Sequence, residues 1–452
     1  MMLAAQELQA ATGGRWVGDV PESVECIVSD SRDFPAGAAF LALRGPSFDG
    51  HNFAAELAGR AALLIGDEAG AVQWQQLPTA QLIVDDTLRA YGAIARAWRD
   101  KLPTCTLLAI TGSYGKTSLR SLLEHLLGGL GYRLAATRAN LNNLIGVPQT
   151  LLAVPFDAEV AVVECGISEV GEMGRLAAIV AADIALFTGI ASAHGEGLGG
   201  LAGVVREKSR LLEEQPADGI AILGNGVGTL FAAQGVRMPA ATVDVDVAQA
   251  AVRWQLSGSR LRLTCGNESA ELTLRLPAEH WAANMALAAT AVRQVAERSG
   301  KAQPALAGLA ALLVDWQPVA GRMQELSGRS GARILNDAYN ANPVSMQAAI
   351  DTLRRLPGRR TAILGDMAEL GEGSESLHAA LQLAGLDRVL LIGPRMRAAL
   401  QPGFLWAAST AEAVPLVAAW QLEANETLLL KASRSMKLEQ LLPALTEAND
   451  AL

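Results

Sequence analysis

Aromatic residues make up only 4% of this 452-residue chain, and its four cysteines, Cys26, Cys105, Cys165 and Cys265, stand far apart with no CxxC spacing. That excludes a disulfide scaffold and a zinc ribbon, and leaves free thiols in a reducing compartment as the expectation. No uncharged apolar run approaches the ~18 residues that a membrane-spanning helix needs. Residues 1–14 contain Glu7 and no basic residue ahead of their apolar stretch, so they read as a first helix and not as a signal peptide. Basic residues are not in excess either. A formal net charge of −9 argues against a general nucleic-acid binder, which would carry a basic face. The expectation is a cytoplasmic protein without membrane insertion.

What is present is a large apolar fraction, 50%, with 18% charged residues, as in well-packed enzymes. The length exceeds one ordinary core and predicts two or three domains. The first ~80 residues read as a small α/β unit, with β-rich runs at 24–28 and 39–43 bounded by Gly and Pro. A helix over 87–101 leads to Pro103. From Thr106 apolar strands alternate with amphipathic helices, the pattern of a parallel sheet. Period-two alternation over 254–276 predicts a small antiparallel insertion, and a helix follows over 281–298. Strands at 333–336, 361–364, 388–392 and 427–431 predict a Rossmann-like third unit. The fold class is therefore α/β in three domains: a small N-terminal α/β domain (1–83), a central parallel-sheet domain (84–316) and a C-terminal Rossmann-like domain (317–452).

The clearest chemical signal is Thr111-Gly112-Ser113-Tyr114-Gly115-Lys116-Thr117-Ser118, set between an apolar strand and a helix. Successive N–H groups of such a turn can cradle phosphate oxygens, aided by the positive end of the helix. Lys116 would neutralise the outer phosphates of ATP, and the Thr117 hydroxyl would sit on Mg²⁺. The usual GxxxxGK[ST] pattern is not fully met, because Ile110 occupies its first Gly position. Glu164 closes another apolar strand, where a carboxylate suits Mg²⁺, although a solvated strand-end Glu fits the same pattern. His194 reads as a loop histidine, and Lys208 as a solvated helix charge.

With these residues in view the chain resembles the Mur ligases, over nearly its whole length and in the same order. The TGxxGKT form of the phosphate loop is the family's own, which accounts for Ile110. The resemblance implies that Glu164 and His194 hold Mg²⁺, and that Lys208 is carbamylated into an anionic oxygen ligand. It implies contacts to ATP from Thr111, Gly112, Ser113, Gly115, Lys116, Thr117 and Ser118. Asn284, in the family's HNxxN region, would face adenine. Arg322 and Asp337 would reach ATP from the third domain, Asp337 at the ribose. Asn140, Asn142 and Asn143, with Ser31 and Arg32 near the N-terminus, would bind the UDP-substrate.

The branch most resembled, through Asn336 to Pro343 and Gly365 to Gly371, joins D-alanyl-D-alanine to UDP-N-acetylmuramoyl-tripeptide through an acyl phosphate. The DNPR signature of the sister enzyme is absent. Closure of the third domain over ATP is implied, and the state expected is a monomer. Departures are Ala139 for Gly, Leu144 for Asp, Trp281 for the first Asn of HNxxN, and Ala432 in a KGSR stretch that reads KASR. Three alternatives share the loop: a folylpolyglutamate synthase on the same scaffold, a P-loop kinase of a small metabolite, and a non-catalytic nucleotide-binding regulator.

Overall fold

Continuous apolar strands need cover on both faces, and a computed structural model of the chain shows how they obtain it; it describes residues 2–191, 195–249, 251–368, 370–371 and 373–447. The central sheet has six strands, all parallel, in the order Leu134–Ala136, Val160–Glu164, Thr106–Thr111, Ile184–Phe187, Ile220–Leu223, Ala241–Asp244. Successive side chains of Thr106–Thr111 serve opposite cores. Leu108 and Ile110 face the helices Lys116–Gly129 and Glu279–Arg298, whereas Leu107 and Ala109 face the helices Ala5–Thr12 and Thr87–Asp100. The helix after the phosphate loop buries Leu119, Leu122, Leu123, Leu126 and Leu127 completely. Each such leucine stabilises the fold by roughly 1.5–3 kcal/mol.

The C-terminal sheet is also six-stranded, in the order Gln324–Ser327, Arg333–Asp337, Glu426–Lys431, Arg359–Gly365, Arg388–Ile392, Leu405–Ala407. Only its first strand runs antiparallel. Leu335, Ile350 and Leu364 of this region belong to the same apolar cluster as the phosphate-loop helix, so the two sheets share a continuous core. The N-terminal sheet has five strands, from Arg15–Val17 through Gln81–Val84, Leu63–Asp67 and Ala39–Leu41 to Ile27–Val28.

The expected antiparallel insertion is the meander Arg253–Ser257, Arg260–Cys265, Glu268–Thr273. The run at 24–28 is not one strand. Ser23–Val24 pairs with Leu3–Ala4, while Ile27–Val28 joins the five-stranded sheet, and Glu25 and Cys26 between them are exposed. No helix among the described residues is long and apolar enough to cross a membrane.

Candidate active site

The phosphate loop leaves the carboxyl end of a central strand, where ligands bind in open parallel sheets. Two glycines shape it. Gly112 and Gly115 have φ of +152° and +80°, and a Cβ at Gly112 would stand 2.0 Å from the Thr188 hydroxyl. At Gly115 a Cβ would press on the Asn284 amide at 3.2 Å, so the missing side chain lets Asn284 close on the turn. The N–H groups of Tyr114 and Gly115 find no acceptor among the described residues. Such open donors at a helix start suit an anion. The Lys116 ammonium folds back onto the Gly112 carbonyl at 2.7 Å.

Beside the loop, Glu164 is buried and held from two sides. The Thr117 hydroxyl donates to it at 3.2 Å and Arg120 Nε at 2.7 Å, and Arg120 also pairs with Glu124. The solvated-carboxylate reading of Glu164 is therefore overturned. So is that of Lys208, which is 1% exposed because its helix Gly200–Ser209 packs this face inward. Burial, and next the Lys116 charge, hold its amine well below the usual lysine range. Neighbouring Cys165 is pushed up to about 12 by burial and then by the Glu164 charge, which leaves it an inert thiol. Residue His194 lies outside the described residues. Among those described, no cluster of three His, Cys, Asp or Glu side chains forms a ready cation site.

Two adjoining cavities meet at Ser113, Tyr114 and Gly115. One, of about 150 Å³, lies between Ser118, Trp281, Asn284, Arg322, Asp337 and Lys431. The other, of about 570 Å³, is lined by Lys116, Thr117, Glu164, Asn140, Asn142, Asn143 and Arg322. Arg322 reaches both and stacks over the Tyr339 ring at 4.1 Å. Asp337 accepts from the Met323 N–H at 3.0 Å and from Lys431 Nζ at 2.7 Å. The C-terminal residues named from the sequence thus stand beside the phosphate loop. Ser31 and Arg32 line neither cavity; the Arg32 side chain is exposed and pairs with Asp30 at 2.5 Å.

Asn143 does not face outward with its oxygen. It accepts from the N–H groups of Ile145 and Gly146 at 3.1 and 2.9 Å, fixing the turn that carries Asn140 and Asn142. Ala139 before that turn has φ of +48°, which accounts for a glycine being favoured there. Trp281 is buried edge-to-face on Trp316 at 5.4 Å, and the Trp316 indole donates to Ser121 on the phosphate-loop helix at 3.1 Å. His280 lines the smaller cavity with a buried Nδ1 that has no partner, and burial lowers its pKa to about 4.

Sequence reasoning gave no role to Arg120, Lys431 or Asn342. The spacing of Lys116, Arg120 and Glu124, four residues apart on one helix face, was a usable signal for Arg120. Lys431 and Asn342 lie in stretches that resemble the family's, but their partners, Asp337 and the Ser113 carbonyl, become visible only in the folded chain.

Comparison with known proteins gives two family models, the Mur ligase middle domain over residues 110–292 and the Mur ligase glutamate ligase domain over 321–434. The chain is 34% identical to UDP-N-acetylmuramoyl-tripeptide–D-alanyl-D-alanine ligase of Escherichia coli (strain K12), covering 94% of each chain. It is 32% identical to the Synechocystis (strain PCC 6803) protein of the same name, covering 94% of this chain and 92% of the relative. A crystal structure of MurF from Acinetobacter baumannii superposes with a TM-score of 0.85 at 29% identity, over 98% of both chains.

Proposed function

The chain belongs to the Mur ligase family, and from that premise we propose that it is the ligase joining D-alanyl-D-alanine to UDP-N-acetylmuramoyl-tripeptide at the expense of ATP. The observation that carries the reading is the meeting of the phosphate loop with Arg322, Asp337 and Lys431 around one cleft. A kinase would need only the first of these halves. Near full-length identity above 30% to relatives of that name favours this branch over a folylpolyglutamate synthase.

The chemistry starts from a carboxylate, which does not condense with an amine until it carries a leaving group. A terminal carboxylate oxygen of the tripeptide attacks the γ-phosphorus of ATP, the bond to the bridging oxygen breaks, and ADP departs. The amine of D-alanyl-D-alanine then attacks the acyl carbon, the C–O bond to phosphate breaks, and a proton is lost as inorganic phosphate leaves. The first step brings anions together. Lys116 and the open Tyr114 and Gly115 N–H groups offset that repulsion, as does Arg322 from the opposite wall. Asn284 and Asp337 hold adenine and ribose. Asn140, Asn142 and the Asn143-braced turn hold the sugar-peptide, and Ser31 and Arg32 its uridine end. Orientation of this kind can supply roughly 7–11 kcal/mol.

The residues beside the loop fit Mg²⁺, since the Thr117 hydroxyl and the Glu164 carboxylate are hard oxygens 3.2 Å apart at the phosphate end. His194 and a carbamylated Lys208 would complete the set. When bound, Mg²⁺ would supply charge neutralisation between the outer phosphates. Burial shifts the Lys208 amine toward its neutral form, the form that can add to CO₂. Supply of ATP and of a soluble nucleotide-linked substrate places the reaction in the cytoplasm. The test is phosphate release with ATP, Mg²⁺ and UDP-N-acetylmuramoyl-tripeptide across a panel of amines. D-alanyl-D-alanine is expected to be turned over best; turnover with other amines and none with it would refute the assignment.

A further inference from the structure

Asn342 has no part in the chemistry above, yet both halves of its amide are employed. Its Oδ1 caps the helix Pro343–Arg354 by accepting from the Ser345 N–H at 2.8 Å, and the Ser345 hydroxyl accepts from the Asn342 N–H at 3.0 Å. Its Nδ2 points the other way, out of the C-terminal region, and donates to the carbonyl oxygen of Ser113 in the phosphate loop at 3.2 Å. The residue is 9% exposed.

The Ser113 carbonyl is a sensitive place to pull. The peptide between Ser113 and Tyr114 is planar and trans, so its C=O and N–H point in opposite directions. Holding the oxygen toward Asn342 therefore turns the Tyr114 N–H the opposite way, and that N–H has no acceptor among the described residues. The other Ser113 groups are committed within the central region. Its N–H goes to the Gly189 carbonyl at 2.7 Å and its hydroxyl to the Ala191 carbonyl at 2.9 Å. The carbonyl is thus the group of Ser113 that the C-terminal region grips.

The far end of the same helix is tied down as well. Arg355, its C-cap, donates to the Pro277 carbonyl at 3.2 Å and pairs with Glu279 at 2.5 Å, where the helix carrying Asn284 begins. A helix pinned to the central region at both caps spans the cleft, with Val344, Ser345 and Ala348 in the wall of the smaller cavity.

We propose that Asn342 is a positioning residue for phosphoryl transfer: by gripping the Ser113 carbonyl it aims the Tyr114 N–H at the nucleotide's phosphates only while the C-terminal sheet is docked. The proposal rests on the ligase reading of this site and adds a coupling to it. Undocked, the cradle is one aimed donor short, so ATP is not spent before the third region is in place.

Asn342→Asp keeps an oxygen cap and removes the N–H donor, and Asn342→Ser keeps a cap too short to reach Ser113. Both are good N-caps, so the helix is retained, which unfolding midpoints near the parent's verify. With ATP, Mg²⁺, UDP-N-acetylmuramoyl-tripeptide and D-alanyl-D-alanine, each variant is expected to lower kcat at least ~10-fold, as loss of an aimed donor does. The KM for D-alanyl-D-alanine should stay within about twofold of the parent's, since the affected donor faces the phosphates.

A second readout isolates the mechanism. The chain has four tyrosines, so ¹⁵N-tyrosine labelling gives four amide signals, and Tyr114→Phe identifies that of residue 114. Its shift on adding a non-hydrolysable ATP analogue is expected in the parent and lost in both variants. Parent-like kcat in the variants overturns the proposal. So does a loss of turnover with the Tyr114 shift intact, which would leave Asn342 a helix cap only. A parent that releases no phosphate with any amine defeats the ligase reading instead, and the Tyr114 signal still reports the coupling.

Discussion

The central and C-terminal sheets are both six-stranded and almost wholly parallel, yet they bring different material to the cleft. The central sheet contributes backbone. Its glycine turn offers N–H groups, and the carboxylate beside them, Glu164, stands opposite Ile110 in the strand register. The C-terminal sheet contributes side chains. Asp337 and Lys431 are direct register partners on adjacent strands, and they form a buried pair at the strand ends. A backbone cradle has to be contiguous, because the turn and its glycines are one piece of chain. A side-chain pair can be assembled from residues far apart in sequence, and here it is.

Four single variants and one double variant test that division, beginning with the largest effect. Lys116→Ala removes the charge on which the cradle depends and is expected to lower phosphate release by at least about 10²–10³-fold with an unchanged circular dichroism spectrum. Near-normal release would mean that the C-terminal side chains do the central sheet's work. Lys431→Met leaves the Asp337 carboxylate buried without its partner, and should cost about 3–5 kcal/mol in urea unfolding. Adding Asp337→Asn to that variant should return much of the loss. If the double variant is no more stable than the single one, the pair is not the unit described.

At the seam between the sheets, His280→Gln addresses the imidazole whose pKa burial lowers from 6.5 to about 4. Between those values the unfolded chain binds the extra proton, so stability is fully present above pH 6.5 and falls as the pH drops toward 4. The Gln variant should lose less over that window, by up to about 3 kcal/mol, read from denaturant midpoints at each pH. Parallel curves for the two proteins would show that His280 is not the group responsible. The smallest effect is expected for Ala139→Gly. The left-handed backbone there costs an alanine roughly 1–2 kcal/mol, and glycine's greater freedom in the unfolded chain takes back part, leaving a gain of about 0.5 kcal/mol in the unfolding free energy. A loss would mean that the alanine methyl makes a contact worth more than the strain.

The phosphate loop, the alternation of strands and helices and the antiparallel meander were all legible in the sequence, because each is written in local periodicity or in glycine placement. Glu164 and Lys208 were harder. A single carboxylate or amine carries no local mark of burial: Lys208 read as solvated and Glu164 left that reading open beside the metal one, until the packed helix and strand put both at 1% exposure. Val24 to Val28 misled for the opposite reason: a run rich in β-branched residues looks like one strand, but register with two different sheets divides it. Of the remaining roles, those of Arg322 and Asp337 came from family resemblance, since nothing within their own stretches marks them as facing a loop two hundred residues earlier.

Trp316, moored to Ser121, is the last buried side chain before the chain crosses into the C-terminal region, and Met323 is buried again on the other side. The six residues 317–322 between them form a tether of roughly 20 Å at full stretch. A partner on so short a leash meets the nucleotide at an effective concentration of at least the millimolar order, so its return costs little translational entropy. Cutting the chain between Trp316 and Met323 would turn that return into a search through solution, and the two fragments supplied separately would then work at a rate set by their dilution.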